Sequence, residues 1–236
     1  MCDTAAMNTS DLDPDRLAAD LTARGYATVP LLDAATCRRL SGLYATEPPF
    51  RKRIVMERHG YGQGEYKYFA YPLPEIVADL RTRLYPPLAA IANDWRRQLG
   101  GEERFPDRHA DYLARCHAAG QTRPTPLLLR YGPDGYNCLH QDLYGAHVFP
   151  LQLAILLDEP GVDFTGGEFL LVEQRPRAQS RAEVVRLRQG EAVIFPVRER
   201  PARGTRGYHR VIMRHGVSRL LSGQRHTLGI IFHDAV

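Results

Sequence analysis

YNCLHQDLYGAHVFPLQLAILLDEPG, residues 136–161, sets His140 and Asp142 two positions apart, just ahead of a strongly apolar run. Alternate residues of a strand share a face, so this pair presents an imidazole and a carboxylate to the same side. Two such ligands do not make a metal site. A third is needed, and the other histidines and the texture of the chain around them decide whether one exists.

The texture changes near residue 124. Beyond it come short apolar runs punctuated by Gly, Pro and Asp: TPLLLRY, HVFPLQLAILLD, GEFLLVEQ, AEVVRLRQ, EAVIFP, YHRVIMRHGV and HTLGIIFHD. In VVRLR, Val185 and Leu187 alternate with Arg186 and Arg188, as in a half-buried strand. Short strands at this spacing predict a sandwich or jelly roll. Before residue 124 the signals are helical. Asp13, Pro14 and Gly25 bracket one helix, and Asp33 caps a second. A third runs from Leu73 to Gly100, with a kink or break expected at Pro86–Pro87, and a fourth ends at Gly120. The expected plan is α+β in one domain over 1–236: a loose tail over 1–12, a mainly helical support with a substrate loop over 13–123, and a β core over 124–236.

The 236 residues, 44% hydrophobic, suffice for one sizeable core and would stretch thinly over two domains. The chain opens without an apolar run after a basic start and has no stretch long and apolar enough to span a bilayer. Its four cysteines are scattered, which suits free thiols in a cytoplasmic protein. The net charge of +4 is mild, and apart from Lys52 and Lys67 it rests on arginine. Charge alone does not make a nucleic-acid binder.

An imidazole–carboxylate pair suits iron(II), and two histidines with one carboxylate leave three coordination positions open. The third ligand lies among His209, His215, His226 and His233. In YHRVIMRHGV, His209 and His215 share a strand face but stand six residues apart, roughly 20 Å, so one ion cannot take both. An oxygenase that consumes 2-oxoglutarate also needs an arginine for the distal carboxylate of that co-substrate. Each histidine has one ten residues on. Arg219 falls in a turn-like stretch. Arg225 opens the strand-like RHTLGIIF, with Thr227 on the same face. This favours His215, with His209 as the alternative.

With these residues placed, the chain resembles the Fe(II)- and 2-oxoglutarate-dependent dioxygenases with a double-stranded β-helix core. The matching pieces are RYGPDGYNCLHQD (130–142), FTGGEF (164–169), GEAVIFP (190–196) and HGVSRLLSGQRHTLGIIF (215–232). The resemblance implies that His140, Asp142 and His215 bind the iron and that Arg225 and Thr227 bind 2-oxoglutarate. Tyr131, placed as in the prolyl-hydroxylase-like branch, would donate to the same carboxylate. It implies oxidative decarboxylation to succinate and CO2, coupled to attack on a C–H bond. Asp142 keeps its carboxylate, which argues against a halogenase. Gly166 and Gly167 read as a tight turn or bulge.

The segment RKRIVMERHGYGQGEYKYFAYPLP (51–74) reads as a glycine- and tyrosine-rich loop, and Arg53, Tyr66 and Lys67 are its candidate substrate residues. The chain is also similar to an uncharacterised bacterial oxygenase family suggested, by analogy with AlkB-type enzymes, to act on damaged nucleic acid. Those enzymes carry a second arginine six residues after the co-substrate arginine, where this chain has Ile231. On the prolyl-hydroxylase-like motifs, hydroxylation of an amino acid, peptide or small metabolite is the leading expectation, and oxidative demethylation of a nucleic-acid base the alternative. A non-enzymatic cupin-like metal binder is a further alternative. Like a zinc hydrolase on the same ligands, it leaves Arg225 and Thr227 unexplained. The sequence leaves the oligomeric state open.

Overall fold

The computed structural model describes residues 12–236, so the tail expected over 1–12 lies, but for its last residue, outside the described residues. Helix α1 (Pro14–Arg24) is capped as its sequence predicts. The Asp13 carboxylate accepts from the backbone N–H groups of Asp15 and Arg16, at 3.0 and 3.2 Å, and Gly25 closes the helix in the left-handed conformation. Strand β1 (Ala27–Pro30) and helix α2 (Ala34–Gly42), capped by Asp33, follow.

The front half is less helical than expected. Residues 51–74 hold strands β2 (Phe50–Val55), β3 (Gly62–Gln63) and β4 (Glu65–Phe69) in place of a loop. Ile54, Tyr66 and Tyr68 face inward and bury against Leu127, Leu129 and Ile231, which is what turns the segment into sheet. Helix α3 (Glu75–Gln98) passes through Pro86 and Pro87 without a break. Val77, Leu80 and Leu84 before the prolines and Leu88, Ile91 and Trp95 after them form one buried stripe, and that packing outweighs the two missing N–H donors. Helix α4 (His109–Ala118) completes the support.

The remaining strands are β5 (Leu127–Tyr131), β6 (Tyr136–His140), β7 (Leu151–Leu156), β8 (Phe164–Gly166) and β9 (Phe169–Gln174). They continue with β10 (Arg181–Val185), β11 (Glu191–Pro196), β12 (Glu199–Gly204), β13 (Gly207–Val217), β14 (Leu220–Gly223) and β15 (Arg225–Ile230). The larger sheet has seven strands in the order β1-β11-β7-β15-β5-β4-β2. The smaller has six, β10-β9-β13-β6-β3 with β12 on β13, and β14 pairs with β8. One face of the larger sheet, with Leu128, Leu153, Ile155, Ile194 and Leu228, packs on the helices. The other face meets the smaller sheet through Ala154, Leu156, Val193 and Phe195 against Phe169, Leu171 and Met213. This is the expected double-stranded β-helix, and the space between its two sheets holds the site. No helix among the described residues is long and apolar enough to cross a membrane.

Candidate active site

A cavity of about 440 Å³ opens between the sheets, within the range of small-molecule sites. His140 is the last residue of β6, and Asp142 lies just past the strand end. His215 sits opposite His140 on β13, with ring centroids 4.1 Å apart. His215 Nε2 is 3.3 Å from Asp142 Oδ2, and His140 Nε2 is 3.7 Å from Oδ1. One ligand atom from each of the three falls within 4.8 Å of the others, close enough to share an ion. His209, on the same long strand, pairs with Ala202 of β12 and is absent from the cavity wall, so β13 brings His215 to the pair.

The triad is oriented by its neighbours. His140 Nδ1 donates to the Cys138 carbonyl at 2.7 Å, which leaves Nε2 free to ligate. Phe169 and Phe195 pack on the His215 ring at centroid distances of 6.0 and 4.7 Å. Asp142 accepts from the Tyr144 hydroxyl at 2.7 Å and from the Gln152 amide at 2.9 Å. Burial by itself would raise the Asp142 pKa. The His215 and His140 imidazoles and the Tyr144 hydroxyl more than offset it, and the carboxylate stays ionised far below its usual range.

On the facing sheet, Arg225 pairs across from Tyr131, and Thr227 from Leu129. Arg225 is 2% exposed and its Nη1 donates to Thr227 Oγ1 at 2.6 Å. Among the described residues no carboxylate forms an ion pair with this buried guanidinium, its Nε has no hydrogen-bond partner, and neither has the buried Tyr131 hydroxyl. Burial also holds the Tyr131 phenol up at about 12, so it is a neutral donor. An unpaired buried cation beside an orphaned O–H is what an anionic ligand would complete. Gly167, at φ +65°, makes room for the arginine, since a Cβ there would stand 3.0 Å from Arg225 Cδ and 2.7 Å from Leu220 Cδ1.

Of the three substrate candidates, Tyr66 reaches the cavity wall. Arg53 and Lys67 do not, and the reason is strand alternation: they pair directly across β2 and β4 on the reverse face. There Arg53 bonds Glu65, and Lys67 donates to the carbonyls of Tyr44 and Thr46.

The cluster could hold a metal ion, and the family comparison names an oxygenase. The model of the Oxygenase-NA family, described as an oxygenase catalysing oxidative methylation of damaged DNA, matches residues 64–235. The chain belongs to the Oxygenase-NA family. Two relatives from Mycobacterium tuberculosis, the uncharacterized proteins MT2286 (strain CDC 1551 / Oshkosh) and Rv2227 (strain ATCC 25618 / H37Rv), are each 53% identical over 167 residues, 71% of this chain and 72% of theirs. Among solved structures, a Pseudomonas putida prolyl-4-hydroxylase is similar at TM-score 0.55 and 15% identity, over 95% of this chain and 100% of its own. An oxidoreductase of the 2OG-Fe(II) oxygenase family from Burkholderia pseudomallei follows at 0.54 and 16%, over 96% and 94%. At such identities these two structures speak to the shared fold. As a member of Oxygenase-NA the protein is an oxygenase, and its His140–Asp142–His215 cluster could hold a metal ion.

Tyr144, Gln152, Phe169 and Phe195 escape the sequence reading. Gln152 had a signal: it is the one polar residue in the apolar run VFPLQLAILL (148–157), and a buried amide needs partners.

Proposed function

We propose that this oxygenase oxidises an alkyl group on a nucleobase, with His140, Asp142 and His215 as the iron ligands. The frame of the cavity carries the reading. Its lining includes the planar or apolar Tyr61, Tyr66, Leu139 and Leu143. Exposed arginines stand on two segments around it: Arg58 just before Tyr61, and Arg198, whose carbonyl holds the Gln141 amide at 3.2 Å. Among the described residues no carboxylate pairs with either. Rings for a base and free guanidinium groups for phosphates are the two requirements of strand binding. The family description, which names damaged DNA, points the same way.

Arg225 and Thr227 would hold the distal carboxylate of 2-oxoglutarate, with Tyr131 donating to it, and this anchors the co-substrate between the sheets. Bound iron and 2-oxoglutarate would supply the oxidation with O2 as the oxidant: one atom of O2 would end in succinate as the keto acid loses CO2, and the other in a substrate C–H bond. The chain contributes orientation and dryness: Tyr144 and Gln152 fix Asp142, while Leu127, Ala154 and Ile231 wall off water. On an N-methyl group, insertion of oxygen gives an N-hydroxymethyl base. That loses formaldehyde and regains its N–H, so the methyl group is removed.

The test is succinate and formaldehyde release with a methylated single-stranded oligonucleotide, beside free amino acids and short peptides. The expected result is release with the oligonucleotide alone. Two phosphate contacts predict a log–log salt slope of about −1.4 for its binding. The second reading, hydroxylation of an amino acid, peptide or small metabolite, rests on Ile231 standing where AlkB-type enzymes carry a second arginine. Turnover with a free amino acid or peptide and none with oligonucleotides would establish it instead.

A further inference from the structure

Tyr61 lines the cavity yet remains 49% exposed. Its ring stacks on His59, with centroids 5.2 Å apart and planes 23° from parallel. The backbone beneath it is pinned. Tyr61 N–H donates to the Met56 carbonyl at 3.1 Å, and its own carbonyl accepts from Cys138 N–H at 2.8 Å. Gly62 and Gln63 then pair with Asn137 and Tyr136 of β6. Gly64, at φ +143°, lies so close that a Cβ would come within 2.8 Å of the Tyr131 ring. The segment is thus laid along the edge of β6, the strand that ends in His140. A tyrosine on a free loop can fold down and bury its ring. This one is fixed at the opening, beside Leu139 and Leu143, each 45% exposed.

Resting on the nucleobase reading, we propose that the Tyr61–His59 stack is the platform that receives the target base at the mouth of the cavity. A stacked pair of rings offers a π-face to any base without demanding a particular hydrogen-bond pattern. Leu139 and Leu143 give the same base an apolar border. The consequence is a preference for unpaired bases, since a base in a duplex must first leave its stack to reach the platform. The ring of Tyr61, not its hydroxyl, does the binding.

The experiment uses the full chain with a short single-stranded oligodeoxynucleotide carrying one N-methylated adenine, and the same strand annealed to its complement. Binding is followed by fluorescence anisotropy. Native protein is expected to bind the single strand more tightly than the duplex. Tyr61→Ala should weaken single-strand binding by about 5- to 100-fold, Tyr61→Phe should retain it, and His59→Ala should fall between. The anaerobic visible band of Fe(II) with 2-oxoglutarate should persist in all three variants. Single-strand binding by Tyr61→Ala equal to native, or equal losses in Tyr61→Phe and Tyr61→Ala, would overturn the platform while leaving the nucleobase reading intact. Failure of the native protein to bind any strand, with the visible band present, would overturn both.

Discussion

Replacing Tyr144 by phenylalanine removes one hydroxyl and keeps the ring that packs at 6.3 Å from Tyr68. That hydroxyl donates to Asp142 Oδ1 at 2.7 Å. A hydrogen bond to a charged group contributes roughly 1.5–3 kcal/mol, and 1.4 kcal/mol is a tenfold change in affinity. If Asp142 is a metal ligand, Tyr144→Phe should therefore weaken divalent-metal binding by about 10- to 100-fold, the range for residues that orient a ligand from behind. Gln152→Leu has nearly the same shape and removes the 2.9 Å bond to Oδ2, together with a 3.4 Å approach to His215 Nε2. It should cost a similar factor. Both donors restrain one carboxylate, so the double variant should lose less or more than the product of the two factors, a coupling that only neighbours show. The assay is anaerobic titration with Co(II), read by its visible absorption, with far-ultraviolet circular dichroism to establish folding. Tyr66→Phe serves as the control, because Tyr66 lines the same cavity without a hydrogen bond to Asp142. Co(II) affinity of Tyr144→Phe within twofold of native would refute the claim that this carboxylate is held for a metal.

Arg225→Met should retain Co(II) binding and lose the anaerobic 2-oxoglutarate band, Tyr131→Phe should weaken the band about tenfold, and His209→Ala should change neither. Arg81→Met should destabilise the fold by roughly 3–5 kcal/mol in urea unfolding, because Asp234, fully buried, would keep its charge with the 2.7 Å Arg81 partner gone. The acid limb of stability should be steep. Burial pushes His109 and His233 down to about 4 from an ordinary 6.5. A depressed imidazole stabilises the fold above its unfolded pKa and loses that contribution as pH falls through the folded value. Each contributes up to about 3 kcal/mol, lost between roughly pH 6.5 and 4. Urea midpoints taken across that range should fall, and His109→Gln should flatten the slope.

What the sequence made legible follows the period-two rule. The separation of His209 and His215 shows only that one ion cannot take both; His215 could be chosen because Arg225, ten residues on, sits in a strand pattern while Arg219, ten after His209, sits in a turn-like stretch. The structure brings His215 to the His140–Asp142 pair and places Arg225 of β15 in the cavity wall. Residues 51–74 misled because the glycines and aromatics that suggest a loop also suit a hairpin, and composition does not say which. The same period-two rule settles Arg53 and Lys67 once the segment is known to be a strand: EYKYF alternates, so the face that turns Tyr66 and Tyr68 inward must turn Lys67 away.

Pro86–Pro87 and Gln152 show what local reading cannot supply. Two prolines remove two helical donors, a local cost, while the stripe from Val77 to Trp95 is rewarded only once the larger sheet exists to pack against. Gln152 inverts that case. In the strand LQLAIL, which is buried on both faces, a lone amide is a local fault. It is repaired only across the cavity, by a carboxylate ten positions earlier in the chain. Its Nε2 is satisfied by Asp142 and its Oε1 by nothing. The whole amide thus lies beside the His140–Asp142–His215 cluster, where only the tertiary fold gives it a partner.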